Sequence, residues 1–135
     1  METKFNFNSQ ICTSREQSER LIALGLKKET ADMFWWDNGY GSCAVISRPV
    51  EKEDGEYGKV IPAWSLARLV EMMPTLIYRR ERLYWLDINN DGVCYNTNGS
   101  FACVEYIADN LYDNILYCIE WLIKKGYFNK EYLEE

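Results

Sequence analysis

Apolar positions along the chain recur at intervals of three to four in some stretches and of two in others, and each change of period marks an element. In "TSREQSERLIALGL", Thr13 and Glu16 form an S/T-x-x-E capping box. Gly25 supplies the left-handed residue that stops a helix, and Leu26 can fold back on Leu21. These signals predict a helix over 14–24. The period then shortens in "ADMFWWDNGYGSCAVISRP", where Asn38, Gly39 and Gly41 separate two β-prone runs and Pro49 ends the second. The pattern predicts a hairpin, with strands at 33–37 and 42–48. Its first strand fails to alternate: Met33 and Trp35 face one way, Phe34 and Trp36 the other, so both faces need cover.

After the polar loop "VEKEDGEYGKV", the stretch "IPAWSLARLVEMMP" spaces Leu66, Leu69, Val70 and Met73 helically between prolines, which predicts a helix over 63–73. "TLIYRRERLYWLDIN" is β-prone, and "NNDG" and "TNGS" punctuate the chain into a meander with strands near 82–89, 93–97 and 101–107. The last long period runs from Asn110, with Asp113 as its capping partner, to Lys124 and Lys125 at the carbonyl end, with Gly126 as the stop. Leu111, Ile115, Cys118, Ile119 and Leu122 form its stripe, widened by Tyr117, Trp121 and Ile123. The tail "YFNKEYLEE" adds a helical turn. This order predicts an α+β fold, with about three helices packed on an antiparallel sheet of about five strands, a hairpin plus a three-strand meander.

Composition narrows the functional classes. A chain of 135 residues has the size of a single domain, 1–135, and its 47% hydrophobic content is ordinary. Aromatic content is high at 15%, with ten Tyr and five Trp, residues that serve cores and partner interfaces alike. The net charge of −6 opposes nucleic acid and anionic membranes, and no stretch approaches the length of a bilayer span. No apolar run follows a basic start, so the chain reads as cytoplasmic. Five Cys, at 12, 43, 94, 103 and 118, never take CxxC spacing, which fits reduced thiols rather than a disulfide framework or a zinc knuckle. Cys43 and Cys118 sit in apolar runs as core residues, whereas Cys12 beside a helix start could carry a lowered pKa. His is absent, which removes imidazole ligands and His-assisted triads.

"ICTSREQSERLIALGLKKETADMFW", "IPAWSLARLVEMMP" and "NLYDNILYCIEWLIKKGY" together resemble a family of small uncharacterised proteins of gut Bacteroidales, often encoded in prophages or other mobile elements. The most distinctive pieces are Thr30 to Trp35 and Pro62 to Leu66, while 75–104 matches poorly. The resemblance implies a bacterial, intracellular, phage-derived origin and brings no catalytic residues with it.

Four constellations carry candidate chemistry. "LDINNDGVCYN" places Asp87, Asn89, Asp91 and Gly92 in the opening half of a calcium loop, but position twelve is Asn98 instead of the bidentate Glu, and the flanks are strand-like. A hairpin turn accounts for the same letters, so no metal is expected. "YRRERLYW" sets Arg79, Arg80 and Arg82 beside Tyr78, Tyr84 and Trp85, the mixture that single-strand binders use, in a molecule too acidic to favour it. Glu71, Glu105, Glu120 and Asp109 would have to converge for a His-free carboxylate-dependent hydrolase. Phe34, Trp35, Trp36 and Trp64 are the partner-binding candidates. No cofactor fingerprint is present. The leading expectation is a non-enzymatic intracellular interaction or regulatory accessory module contacting a protein partner or a second copy of itself; the hydrolase is the alternative.

Overall fold

The chain is described by a computed structural model at residues 9–37, 43–46, 59–89, 92–97, 101–107 and 110–135. The elements run α1 (Arg15–Ala23), β1 (Met33–Asp37), β2 (Cys43–Ile46), β3 (Lys59–Ala63), α2 (Leu66–Met72), β4 (Leu76–Arg79), β5 (Arg82–Asn89), β6 (Gly92–Thr97), β7 (Phe101–Tyr106) and α3 (Leu111–Lys125). Short 3₁₀ turns at Lys28–Thr30 and Lys130–Tyr132 complete them. The fold is α+β, as the sequence predicts. Its seven described strands lie in two antiparallel sheets, ordered β2-β1-β3 and β4-β5-β6-β7, instead of one sheet of about five.

The two unforeseen strands have local causes. Pro62 and Ala63, expected at the opening of α2, instead pair with Phe34 and Met33 as the end of edge strand β3. An edge position tolerates the missing N–H of proline, because one side of the strand has no ladder to fill. The helix waits for Ser65, whose hydroxyl accepts from Arg68 N at 3.2 Å. β4 joins β5 through Arg80 and Glu81, whose φ values of 52° and 66° describe a tight turn of the primed kind. Neither residue advertises such a turn as Gly or Asn does.

The capping box of α1 also lies one residue later than Thr13 and Glu16. Ser14 Oγ accepts from Gln17 N at 3.1 Å and Gln17 Oε1 accepts from Ser14 N at 2.9 Å. Thr13 cannot cap because it is fully buried and already engaged. Its Oγ1 accepts from Trp64 N at 3.0 Å and lies 2.7 Å from Ser18 Oγ, and its N–H donates to Trp64 O at 2.8 Å. The predicted stop at Gly25 holds, with φ +104° and Leu26 N donating back to Leu21 O.

α3 packs on β6 and β7 and also meets α1. Being covered from more than one side, it buries Leu116 and Tyr112 as well as the predicted Ile115, Cys118, Ile119 and Leu122. Trp64, Leu21, Leu69, Val93 and Tyr95 complete the same core. The tail returns to α1: Lys27 N donates to Tyr132 O, and Glu134 N to Gly25 O. Among the described residues no helix is long and apolar enough to cross a membrane.

Two glycines share a positive φ, +156° at Gly92 and +81° at Gly126, and differ in backbone crowding. A Cβ on Gly92 would sit 2.2 Å from Tyr106 O, whereas one on Gly126, at φ +81°, meets nothing within 4 Å. Gly126→Ala is expected to cost about 1–2 kcal/mol, the left-handed penalty alone. Gly92→Ala must displace β7 from β6 and is expected to cost roughly 3 kcal/mol or more by denaturant unfolding; equal losses at the two sites would contradict the crowding.

Candidate interaction surface

Strand alternation sorts the four-stranded sheet into two faces. Ile77, Tyr84, Val93 and Tyr95 point to α3 and are buried, with Leu86, Val104 and Tyr106 packed against them. Tyr95 Oη donates to Pro74 O at 2.7 Å, and Tyr106 stacks on Tyr117 of α3. The opposite face carries the intervening residues. Leu76 pairs with Trp85 and Tyr78 with Leu83, so four large side chains form one block across β4 and β5. All four are exposed, Tyr78 by 63%, Leu76 by 46%, Trp85 by 43% and Leu83 by 41%. Scaled to full side-chain areas, they present on the order of 400 Å² of apolar surface, within the size of a monomer's largest and often functional patch.

Polar groups border this block at both ends. At the turn stand exposed Arg80 and Glu81, while Arg79 and Arg82 pair with each other on the face of Ile77 and Tyr84. The Arg79 guanidinium lies 5.6 Å from the Trp121 ring. Further along, Asp87, Cys94 and Glu105 form one cross-strand row on the outer face. Asp87 Oδ2 accepts from Asn96 Nδ2 at 3.1 Å. The Cys94 thiol is pushed up by burial, with Asp87 and Glu105 adding to the effect.

The calcium-like letters are therefore spent on a hairpin. Asp87 and Asn89 lie within β5, and Asn89 pairs directly with Gly92 of β6, so strands stand where a calcium loop needs helices. Asp91 lies outside the described residues. The stretch 78–85 is divided by the two faces: Tyr78 and Trp85 are displayed, while Tyr84 is buried.

The aromatic candidates sit elsewhere. Trp64 is fully buried, with Nε1 donating to Thr30 Oγ1 at 2.9 Å, which makes it core rather than a contact residue. Trp35 Nε1 donates to Thr13 O at 2.8 Å. Phe34, Trp35 and Trp36 are half-buried, and β2 and β3 flank their strand. The displayed block is hard to see in the sequence because the turn at Arg80 and Glu81 hides the strand that completes it.

Among the described residues no three acidic or Cys side chains come together as a metal site would hold them. Glu71 lies 3.2 Å from Arg68 Nε on α2, Glu105 stands on β7, and Asp109 is outside the described residues. Glu120 on α3 contacts Arg20 Nη2 at 3.0 Å and Lys124 Nζ at 3.3 Å. Cys12, Cys94 and Cys118 are buried, and Cys12 is pushed up by burial and then by Asp32, opposite to the lowering its place near α1 suggests. The side chains of Cys43 and Cys103 lie outside the described residues.

Hydrogen bonds from Arg20 and then Lys124 hold the Glu120 carboxyl below its ordinary value of 4.5. A depressed folded-state pKa gives stability that is present above that ordinary value and is lost as pH falls through the folded one. Glu120→Gln is expected to cost up to about 1 kcal/mol at pH 7, as partly exposed pairs do. The gap to wild type should close in acid; a gap unchanged at pH 3 contradicts the ion-pair assignment. In comparisons with known proteins, the chain matches no family model, no curated protein and no solved structure.

Proposed function

We propose that the chain is a non-enzymatic protein-interaction module, with the outer face of the four-stranded sheet as its contact surface. The observation that carries this reading is the exposed block of Leu76, Tyr78, Leu83 and Trp85. Large aromatic and aliphatic side chains with a polar rim are the composition of an interface centre. An accessory or regulatory role in a mobile element of the cytoplasm rests on the sequence resemblance at Thr30 to Trp35 and Pro62 to Leu66. The hydrolase alternative gains no support from Glu71 and Glu120, which are engaged by Arg68 and by Arg20 and Lys124, and no three acids cluster among the described residues.

A photo-cross-linking residue at position 83 is expected to capture protein in cells, one at position 34 is not, and Trp85→Ser abolishes the capture. The same Trp85→Ser should stay within about 1 kcal/mol of wild type, whereas Trp64→Ala costs roughly 3–5 kcal/mol by core truncation. Capture from position 34 that ignores Trp85 would move the contact surface to the three-stranded sheet.

A further inference from the structure

A cleft beside α2 shares no residue with the exposed block of the sheet. One lobe, of about 350 Å³, lies between the Lys28–Thr30 turn and α2 and is lined by Glu29, Arg68 and Glu71. The other, of about 330 Å³, lies between the end of α2 and the tail and is lined by Tyr127 and Pro74. Glu71, Met72 and Tyr132 line both lobes, so the two form one continuous groove. We propose that this groove binds a short basic segment of a partner protein, with a lysine or arginine side chain laid across Met72 and Tyr132 and its charge at Glu71 and Glu29.

The charge of the walls selects a cation. Two carboxylates, Glu29 and Glu71, stand against the single guanidinium of Arg68. That guanidinium is already engaged, with Nη1 donating to Thr30 O at 2.7 Å and Nε lying 3.2 Å from Glu71 Oε1. The Glu71 side chain is still 72% exposed, and a carboxylate accepts several donors at once. No basic residue stands in the last turn of α2, and Pro74, on the wall beyond it, has no N–H to offer an anion.

The rest of the lining suits the stem of a long basic side chain. Met72 is buried, and the two tyrosine rings are held from behind, Tyr132 edge-on to Phe128 at 5.9 Å and Tyr127 against Trp121 at 5.7 Å. Such rings attract a cation and cover its aliphatic stem. A wholly apolar occupant would strip water from the carboxylates without replacing it. At about 30 Å³ per heavy atom, a lysine side chain takes roughly 150 Å³, so the groove accommodates a peptide segment rather than a lone amine. The net charge of −6 draws such a segment toward the molecule, and the groove gives it a place to dock.

Fluorescence anisotropy of a labelled peptide of alternating alanine and lysine, titrated with the full chain at low ionic strength, tests the proposal. Saturable binding is expected, weakened about five-fold by Glu71→Gln and by Tyr127→Leu, and lost when the lysines are acetylated. Glu19→Gln on α1, which removes the same charge, and Trp85→Ser should leave the affinity within about two-fold. If Tyr127→Leu fails to fold, the Met72 methyl resonance of the wild type, expected to shift on adding the peptide, replaces it. No saturation by about 1 mM overturns the proposal, as does equal binding of the acetylated peptide. An equal loss from Glu19→Gln overturns it in favour of general attraction, and a loss confined to Trp85→Ser in favour of the outer sheet face. A Met72 resonance that responds to n-butylamine but not to the peptide overturns the peptide occupant in favour of a free amine.

Discussion

Thr13 spends its amide, its carbonyl and its hydroxyl on three different parts of the chain, and the helical layer is fixed by that exchange. Its N–H and Oγ1 pair with the Trp64 backbone, its Oγ1 also meets Ser18 of α1, and its carbonyl receives the Trp35 indole. A buried hydroxyl left without partners costs free energy comparable to a lost hydrogen bond, so the arrangement is close to all-or-none. Trp64 passes the constraint on through Nε1 to Thr30, and Thr30 Oγ1 in turn donates to Lys27 O. The segment before α1, the 3₁₀ turn after it, the centre of β1 and the entry to α2 are thereby fixed together.

The second layer depends on the first through α1 and α3. Gln17 Nε2 donates to Asp113 Oδ1 at 2.7 Å, and Gln10 joins Gln17 to Asn110, so the amino ends of both helices are tied by side-chain amides. Arg20 and Glu120 repeat the tie further along, with the guanidinium 4.3 Å from the Tyr117 ring centre. α3 then presents Ile115, Leu116, Ile119 and Leu122 as a surface that one face of a four-stranded sheet can cover. Only one face of that sheet is needed to close this core.

Elements whose signals are local were legible in the sequence. α1 has a capping residue, a stop glycine and a fold-back leucine, and α3 has Asn110, a stripe and Gly126; both lie within a residue of expectation. The meander strands were readable from their turn residues. What escaped was decided at a distance. Pro62 looks like a helix opening until β1 pairs with it, and Thr13 looks like a cap until Trp64 occupies its hydroxyl. Arg80 and Glu81 adopt positive φ because Ile77 and Tyr84 must meet on the buried face, and register set by burial overrides turn propensity.

The same distance dependence explains why the aromatic residues divide as they do. Tryptophan has a large apolar body and a single donor, so its placement is settled by whether that donor finds an acceptor inside the chain. For Trp64 and Trp35 it does, at Thr30 Oγ1 and Thr13 O, and the conspicuous run at 33–36 is thereby bound into the molecule's own packing. Trp85 and Tyr78 differ by strand parity. One residue along, Tyr84 and Ile77 face α3, so any sequence that fills that core must turn positions 76, 78, 83 and 85 outward. Those positions are free of the core's demands, and polar residues would fold as well there. Two leucines, a tyrosine and a tryptophan occupy them, and all four stay exposed on the side of the sheet turned away from α3.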